Sequence, residues 1–124
     1  MATLDNRVFD NGLTVLDTEA NAIHITSAEA TSFANVSSVT LGNSTSLSIG
    51  APQDRVGGGD GREVVVAATT GGNVTGTGTA THYAIVDTAN SRLLATGSLT
   101  AEQSVTDGNT FTLSSVAIGI PDPA

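Results

Sequence analysis

The sequence contains no cysteine, no tryptophan and no lysine. Without cysteine the chain forms no disulfide and offers neither a thiolate nucleophile nor a cysteine-ligated metal site. Four arginines stand against twelve carboxylates, so the formal net charge is −8. Because nucleic-acid binding draws much of its free energy from phosphate neutralisation by Lys and Arg, this balance argues against DNA or RNA as a partner.

Aromatic side chains are also scarce, and the whole set is Phe9, Phe33, Phe111 and Tyr83. A buried aromatic side chain removes roughly 150 to 250 Å² from water. A core made mostly of Val, Ile, Leu and Ala therefore predicts modest stability for a lone subunit. We expect self-association, as a dimer or trimer, to add to it.

The length of 124 residues predicts a single domain spanning 1–124. The opening segment ATLDNR has no basic stretch that leads into an apolar run. This start predicts no signal peptide, no transmembrane span and synthesis in the cytoplasm. We accordingly expect no membrane partner.

The first half of the sequence mixes helical and strand patterns. Apolar residues at three- and four-residue steps predict a helix over about 5–21, although Gly12 lies within it. AIHITSA (22–28) alternates apolar and polar residues and predicts a strand. The same alternation runs over 39–49, and the Gly-Asn-Ser sequence at 42–44 interrupts it with a predicted turn.

The second half reads as strands that follow a loop. GAPQDRVGGGDG (50–61) carries five glycines and predicts a flexible loop. Turn signals at 71–73, 88–91 and 107–109 separate four strand patterns, and a change of apolar parity predicts a bulge at Ser114-Ser115. We therefore predict a mainly β protein, an antiparallel β-sandwich or barrel-like meander with one N-terminal helix.

The glycine-rich sequence GGGDG (57–61) suggests a phosphate cradle or a calcium loop. A phosphate loop needs a lysine and a following helix, whereas a β-rich run follows here and the chain has no lysine. The calcium interpretation rests on one unrepeated copy, so Asp54, Asp60 and Glu63 equally fit solvated loop charges. We predict no cofactor, and we leave open whether this loop binds an ion.

Two histidines, His24 and His82, lie far apart on predicted strands. A zinc or copper site would need carboxylates that converge on them, so we assign both to structural or surface roles. The sequence contains no nucleophile-elbow motif of the Gly-x-Ser-x-Gly type. We predict no catalytic residues, no metal site and no enzymatic activity.

The stretch VTGTGTATHYAIVD places threonine at every second position from Thr75, through Thr77 and Thr79, to Thr81. Side chains alternate along a strand, so these threonines would share one face, opposite small residues. Regular threonine arrays occur on ice-binding surfaces, but the neighbouring strand patterns supply no matching ranks. We interpret the array as an outer strand face, with a subunit interface as the alternative.

The run THYAIVDTANSRLLATGSLTAEQSVTDGNTFTLSSVAIGIPDPA (81–124) resembles small proteins encoded among the virion structural genes of tailed bacteriophages and prophages. The segment DNRVFDNGLTVLDTEANAIHITSAEATSF (5–33) is similar to them too. The resemblance implies a non-enzymatic virion protein. Most members of this group of proteins are uncharacterised, and the motifs that they share are structural.

Within that setting, the composition favours a capsid decoration, or cement, protein on the outer shell, with the major capsid protein as its partner. We expect Arg7, Arg55, Arg62 and Arg92 to donate salt bridges to an acidic shell, because they are the cations available. We expect the helix or the 50–61 loop to dock on that shell. A tail or fibre component and a host- or glycan-binding β module are the alternatives.

Overall fold

The structure is a computed structural model that describes residues 3–4, 12–54 and 62–120. The strands are β1 (Thr3–Leu4), β2 (Ala22–Thr26), β3 (Thr40–Ser44), β4 (Gln53–Asp54), β5 (Arg62–Val66), β6 (Thr69–Val74), β7 (Gly78–Asp87), β8 (Arg92–Val105), β9 (Thr110–Leu113) and β10 (Val116–Ile120). The helices are α1 (Thr14–Glu19) and α2 (Phe33–Val39). The predicted fold class, mainly β and antiparallel with a small N-terminal helix, is confirmed.

A seven-stranded antiparallel sheet has the order β1-β8-β7-β2-β3-β6-β9. The β7–β8 hairpin follows the chain order, whereas β2 and β3 insert between β7 and β6. The Nε2 of Gln103 on β8 donates to the carbonyl oxygen of Thr112 on β9 at 2.9 Å. Because these strands lie near opposite ends of the strand order, the sheet is strongly curled.

The second sheet has three antiparallel strands in the order β10-β5-β4. Val116 to Ile120 of β10 pair with Val66 to Arg62 of β5. On the other side of β5, Gln53 pairs with Glu63, and an isolated bridge joins Ile49 to Val66. The predicted 50–61 loop is therefore wrong at 53–54, which form β4, and its residues 55–61 lie outside the described part.

The core occupies both faces of the seven-stranded sheet. On one face Ile23, Ile25, Tyr83 and Ile85 pack with α1 and with the three-stranded sheet, in a cluster that includes Leu16, Val64, Val66 and Ile118. On the other face a smaller cluster under α2 contains Ala22, Ala30, Val36, Ala84 and Val86. Successive residues of β2 therefore contribute to different clusters, as strand geometry requires.

Helix α1 is shorter than the helix predicted over 5–21, whose residues 5–11 lie outside the described part of the chain. Gly12 has φ +72°. A right-handed helix does not pass through this left-handed conformation, so α1 begins only at Thr14. Val15 and Leu16 are its buried residues, and the extended backbone of Ala20 ends it.

Helix α2 was not predicted from the sequence. Its N-cap Ser32 accepts a hydrogen bond from the backbone N–H of Asn35 at 3.1 Å, and Asn35 Oδ1 accepts from the N–H of Thr31 at 3.0 Å. This reciprocal arrangement resembles a capping box. The helix has seven residues and is rich in Ser and Asn, so its helical propensity is low, and burial of Val36 helps to hold it on the sheet.

Two predicted turns lie inside strands. Residues 42–44 belong to β3, where Gly42 allows the close approach of β6, and 71–73 belong to β6. Gly71 has φ +69° at a register shift between Thr69 and Gly72, so it forms a bulge and not a turn. The turns predicted at 88–91 and 107–109 are confirmed.

The bulge predicted at Ser114-Ser115 is a change of sheet. β9 ends at Leu113 in the seven-stranded sheet, and β10 begins at Val116 in the three-stranded one. Both apolar sets still reach the core, because Leu113 and Ile118 are buried. The parity change therefore marks a strand that crosses between two sheets.

Candidate functional site

Two of the four arginines proposed as interface residues lie within the described part of the chain. Arg7 and Arg55 lie outside the described residues, and Arg62 pairs through its backbone with Ile120 and Asp54. Arg92 begins β8, and its Nη1 lies 3.4 Å from Glu19 Oε1. Exposed pairs of this kind contribute about 0–1 kcal/mol. Arg92 already holds a carboxylate partner within its own chain.

The threonine array is not a single strand face. Thr75 and Thr77 lie in the connection between β6 and β7, whereas Thr79 is exposed on β7. The Thr77 Oγ1 accepts a hydrogen bond from the Asp107 backbone N–H at 3.1 Å, and the Thr75 N–H donates to the Leu41 carbonyl oxygen at 2.8 Å. Thr75 and Thr77 therefore stabilise a connection in addition to presenting hydroxyls.

The small residues opposite the array allow another side chain to approach the strand closely. A Cβ placed on Gly78 would lie 3.3 Å from Leu41 Cδ2, so the Leu41 side chain rests against the glycine backbone. Thr79 pairs with Ser104, whereas Arg92 pairs with Asp87 at the other end of the hairpin. The eight strand steps from Thr79 to Asp87 span about 26 Å. Thr79 and Arg92 therefore lie too far apart to form one patch.

The two histidines occupy separate positions on neighbouring strands. His24 Nδ1 lies 2.8 Å from Thr40 Oγ1, and His82 Nδ1 lies 2.8 Å from Thr81 Oγ1. Among residues 3–4, 12–54 and 62–120, no cluster of three or more His, Asp or Glu side chains is arranged to hold a metal ion. The glycine-rich sequence at 57–61 lies outside these ranges. Neither described helix is long and apolar enough to cross a membrane.

Protonation of His24 is expected to destabilise the fold. Burial lowers the pKa of His24 below its usual value of 6.5 because it disfavours the charged imidazolium. The unfolded chain therefore takes up this proton at a higher pH than the folded chain. The stability that depends on neutral His24 is complete above pH 6.5 and falls as the pH drops below that value.

The measurement is thermal unfolding of the wild type and of His24→Asn between pH 7.5 and about 5, above the range in which most carboxylates titrate. The melting temperature of the wild type should fall over this range more steeply than that of the variant. Every other titratable group is present in both proteins, so a difference between the two slopes is due to His24. Equal slopes would contradict the assigned role of His24.

A cavity of about 460 Å³ lies between the two sheets, and we call it the β8–β10 cavity. Its walls come from Gly97 to Ala101 of β8 on one side and from Ser114 to Ala117 on the other. Ile23, Tyr83 and Leu113 provide apolar surface, and no lining residue is charged. The volume falls in the range of about 300–1,000 Å³ that is typical of ligand sites.

An irregularity in β8 shapes this cavity. Ala80 pairs with Gln103 and His82 with Ser98, so four residues of β8 face the single residue Thr81. The extra length forms a wide bulge at 99–102, where Leu99 packs against the core while Thr100 and Ala101 are exposed. The sequence offers no clear signal for this bulge, because LLATGSLTAEQ reads as a continuous strand.

Tyr83 forms part of the cavity wall by lying across Gly97. Any Cβ at Gly97 would meet the Tyr83 hydroxyl at 2.6 Å and its ring at 2.7 Å. Burial raises the pKa of Tyr83, so its phenol stays neutral and able to donate a hydrogen bond. Ser98, Thr100 and Ser115 add further hydroxyls to the lining. The cavity therefore suits an uncharged, largely aliphatic group.

These observations define a class, an antiparallel β protein with an uncharged cavity between a curled sheet and a smaller one. Comparisons of the chain with protein-family models, with curated proteins and with solved structures gave no match.

Proposed function

We propose that this chain is a non-enzymatic structural protein of a tailed-phage virion, and specifically a capsid decoration protein that binds the outer shell through the major capsid protein. The observation that carries the proposal is the resemblance of 81–124 to small virion proteins. This segment contains most of β7 and all of β8, β9 and β10, which contribute to both sheets. The resemblance therefore covers the part of the chain that connects the two halves of the fold.

The charge of the chain supports an external position. A net charge of −8 repels packaged DNA and is tolerated on the outer surface of a shell. A capsid also presents many symmetry-related sites, so repeated weak contacts give high avidity. Self-association as a dimer or trimer would add burial to a core with few aromatic residues.

The first experiment is fractionation of purified particles of the phage that encodes the chain. The protein should remain with capsids and leave them in high salt while the shell stays intact, because contacts to exposed charges are screened. Imaging of intact particles should then show its density outside the shell. Fractionation with tails would overturn the decoration role and support a tail component, and absence from particles would overturn both.

The second experiment tests the hydroxyl surface of β7. Thr79→Glu places a charge on an exposed position. Within the described part of the chain the Thr79 side chain makes no hydrogen bond, whereas that of Thr77 accepts one from Asp107. If this surface docks on the shell, the affinity of the variant for capsids that lack the protein should fall at least about tenfold. A tenfold change in affinity corresponds to about 1.4 kcal/mol of binding free energy.

Ser38→Glu in α2 is the matched control, since Ser38 is also exposed and the variant has the same net charge. Both variants should unfold at the wild-type temperature. Equal capsid binding by the two variants would contradict docking through β7 and would indicate that Thr79 faces solvent.

A further inference from the structure

The outer edge of β10 carries backbone groups that no described strand pairs. β10 stands at the end of the three-stranded sheet, and its partner there is β5. The hydrogen bonds on the far side of β5 determine which residues point outward. The N–H of Gly50 donates to the carbonyl oxygen of Val65 at 3.1 Å, and the N–H of Ala67 donates to that of Ser48 at 2.8 Å.

Val65 and Ala67 therefore direct their backbone groups away from β10, so Val64 and Val66 direct theirs toward it. Val64 pairs with Ile118 and Val66 with Val116. Ile118 and Val116 consequently use their N–H and C=O groups within the sheet. The backbone groups of Ala117 and Gly119 point to the open edge.

Within the described residues of β10, the side chains that usually protect a sheet edge are missing. The sequence VAIGI has no charged residue and no proline, and its outward pair consists of alanine and glycine. An edge strand with unpaired N–H and C=O groups and small, neutral residues is a template for another strand. Strand β10 is five residues long, enough for an added segment to form several hydrogen bonds.

The β8–β10 cavity adjoins the first residues of β10. Val116 and Ala117 line one side of it, and the β8 bulge lines the other. A strand added to β10 would place alternate side chains on the face of Val116 and Ile118, next to the cavity. Strand addition beside a pocket is a known form of peptide recognition, in which the backbone provides affinity and the pocket selects a side chain.

We infer that this protein binds an extended peptide segment of a partner protein, which pairs with β10 and inserts one aliphatic side chain into the β8–β10 cavity. The uncharged lining selects an aliphatic group, because burying a charge there would be costly. The net charge of −8 favours a neutral or basic segment over an acidic one. A small molecule in the cavity would leave the edge of β10 unpaired.

This inference goes beyond the proposed function, because the edge and the cavity exist whatever the partner is. The probe is a synthetic peptide with blocked termini and the sequence Lys-Thr-Val-Thr-Ile-Thr-Lys. Tyr83 is the single tyrosine of a chain without tryptophan, so its fluorescence reports occupancy of the cavity. We expect a saturable change with this peptide and none when proline replaces its central threonine.

Ala117→Pro tests the backbone contact. Proline is tolerated on an edge strand where the N–H faces outward, so the ladder with β5 should remain. Loss of one hydrogen bond and the bulk of the ring should weaken peptide binding at least about tenfold. Ala117→Thr keeps the N–H but also adds bulk beside the cavity, so it is the matched control and should bind the peptide more tightly than Ala117→Pro. Equal binding by both variants would overturn the proposed mode.

Ser115→Leu tests the cavity without altering β10. The added side chain fills space that the peptide side chain requires, so binding should weaken, whereas Thr112→Leu on the exposed surface of β9 should have no effect. Thermal unfolding of each variant establishes that it is folded. Retained binding by a folded Ser115→Leu protein would overturn insertion into the cavity.

Amide hydrogen exchange resolves the occupant even if a variant fails to fold. In the free wild type, Ala117 and Gly119 should exchange fast and Val116 and Ile118 slowly, and the peptide should slow the first pair. Slow exchange of all four amides at every protein concentration would show that the edge is already covered. Protection that appears only at high concentration would identify a second copy, and either result would overturn the inference.

Discussion

Replacing Ile85 with alanine is expected to lower the free energy of unfolding by about 2–5 kcal/mol. Ile85 is fully buried on β7, between Ile23 of β2 and Ala95 of β8. The truncation removes apolar surface and leaves a void among strands whose backbones are held by their ladders and cannot collapse into it. Since small domains have about 5–15 kcal/mol of total stability, the loss is a large fraction of it.

Urea unfolding followed by circular dichroism measures this effect. Ile49→Ala is the matched control, because Ile49 is the same residue type, contacts the same core and is only partly buried. Its cost should be clearly smaller. Ile85→Val should also cost less, about 0.5–1.5 kcal/mol. A cost for Ile85→Ala no larger than that of Ile49→Ala would contradict the placement of Ile85 at the centre of the core.

Gly42→Ala is expected to disrupt the pairing of β3 with β6. A Cβ at Gly42 would overlap the carbonyl oxygen of Asn73 and lie 3.0 Å from the Cα of Val74. These are backbone atoms within a sheet, so they cannot move aside as the end of a flexible side chain does. Overpacking a core typically costs about 1–3 kcal/mol. We expect the upper part of this range or more, because the strands must separate.

Gly76→Ala provides the control at a nearby glycine, where the new Cβ would meet Leu41 Cδ2 at an ordinary 3.7 Å. This variant should keep nearly the wild-type stability. The amides of β3 and β6 should lose exchange protection in Gly42→Ala and keep it in Gly76→Ala. If the two alanine variants unfold at the same denaturant concentration, the close approach of β6 to Gly42 is wrong.

Several elements of the fold follow from local sequence. The alternation in AIHIT predicts β2, and the turn residues at 88–91 and 107–109 predict where two hairpin connections fall. These signals succeed because they depend on side-chain alternation and on backbone conformations that nearby residues favour. The apolar spacing around Leu16 likewise predicts a helix, although Gly12 shortens it.

Other elements could not be predicted from the sequence because they depend on residues that are distant along the chain. Glycines in a strand normally weaken it, yet Gly42 and Gly72 occur within strands because β6 and the Phe111 ring approach them closely. The parity change after Leu113 indicates an irregularity, but only the presence of β5 explains why the chain crosses to a second sheet. Helix α2 depends on Val36 reaching a cluster on β2 and β7.

The candidate site shows the same division. The sequence suggested interface residues from the scarcity of arginine and the regularity of threonine, and the structure separates Thr79 from Arg92 by the length of the hairpin. The β8–β10 cavity was not predicted, since its walls come from segments that are distant in sequence. The sequence shows that Tyr83 is the single tyrosine, but only the contact with its cross-strand neighbour Gly97 shows how its ring forms a wall.

The sequence by itself determined the composition-dependent properties of this protein: the negative charge, the absence of cysteine chemistry and the mainly β, antiparallel character. These depend on residue types and on periods of two or three to four residues, which are local. The tertiary structure alone decided the strand order, the insertion of β2 and β3 between β7 and β6, and the open edge of β10 beside a cavity. Such features arise from pairing between segments that are remote in the sequence. Many strand orders would satisfy the backbone hydrogen bonds equally well, and only the packing of side chains selects one of them.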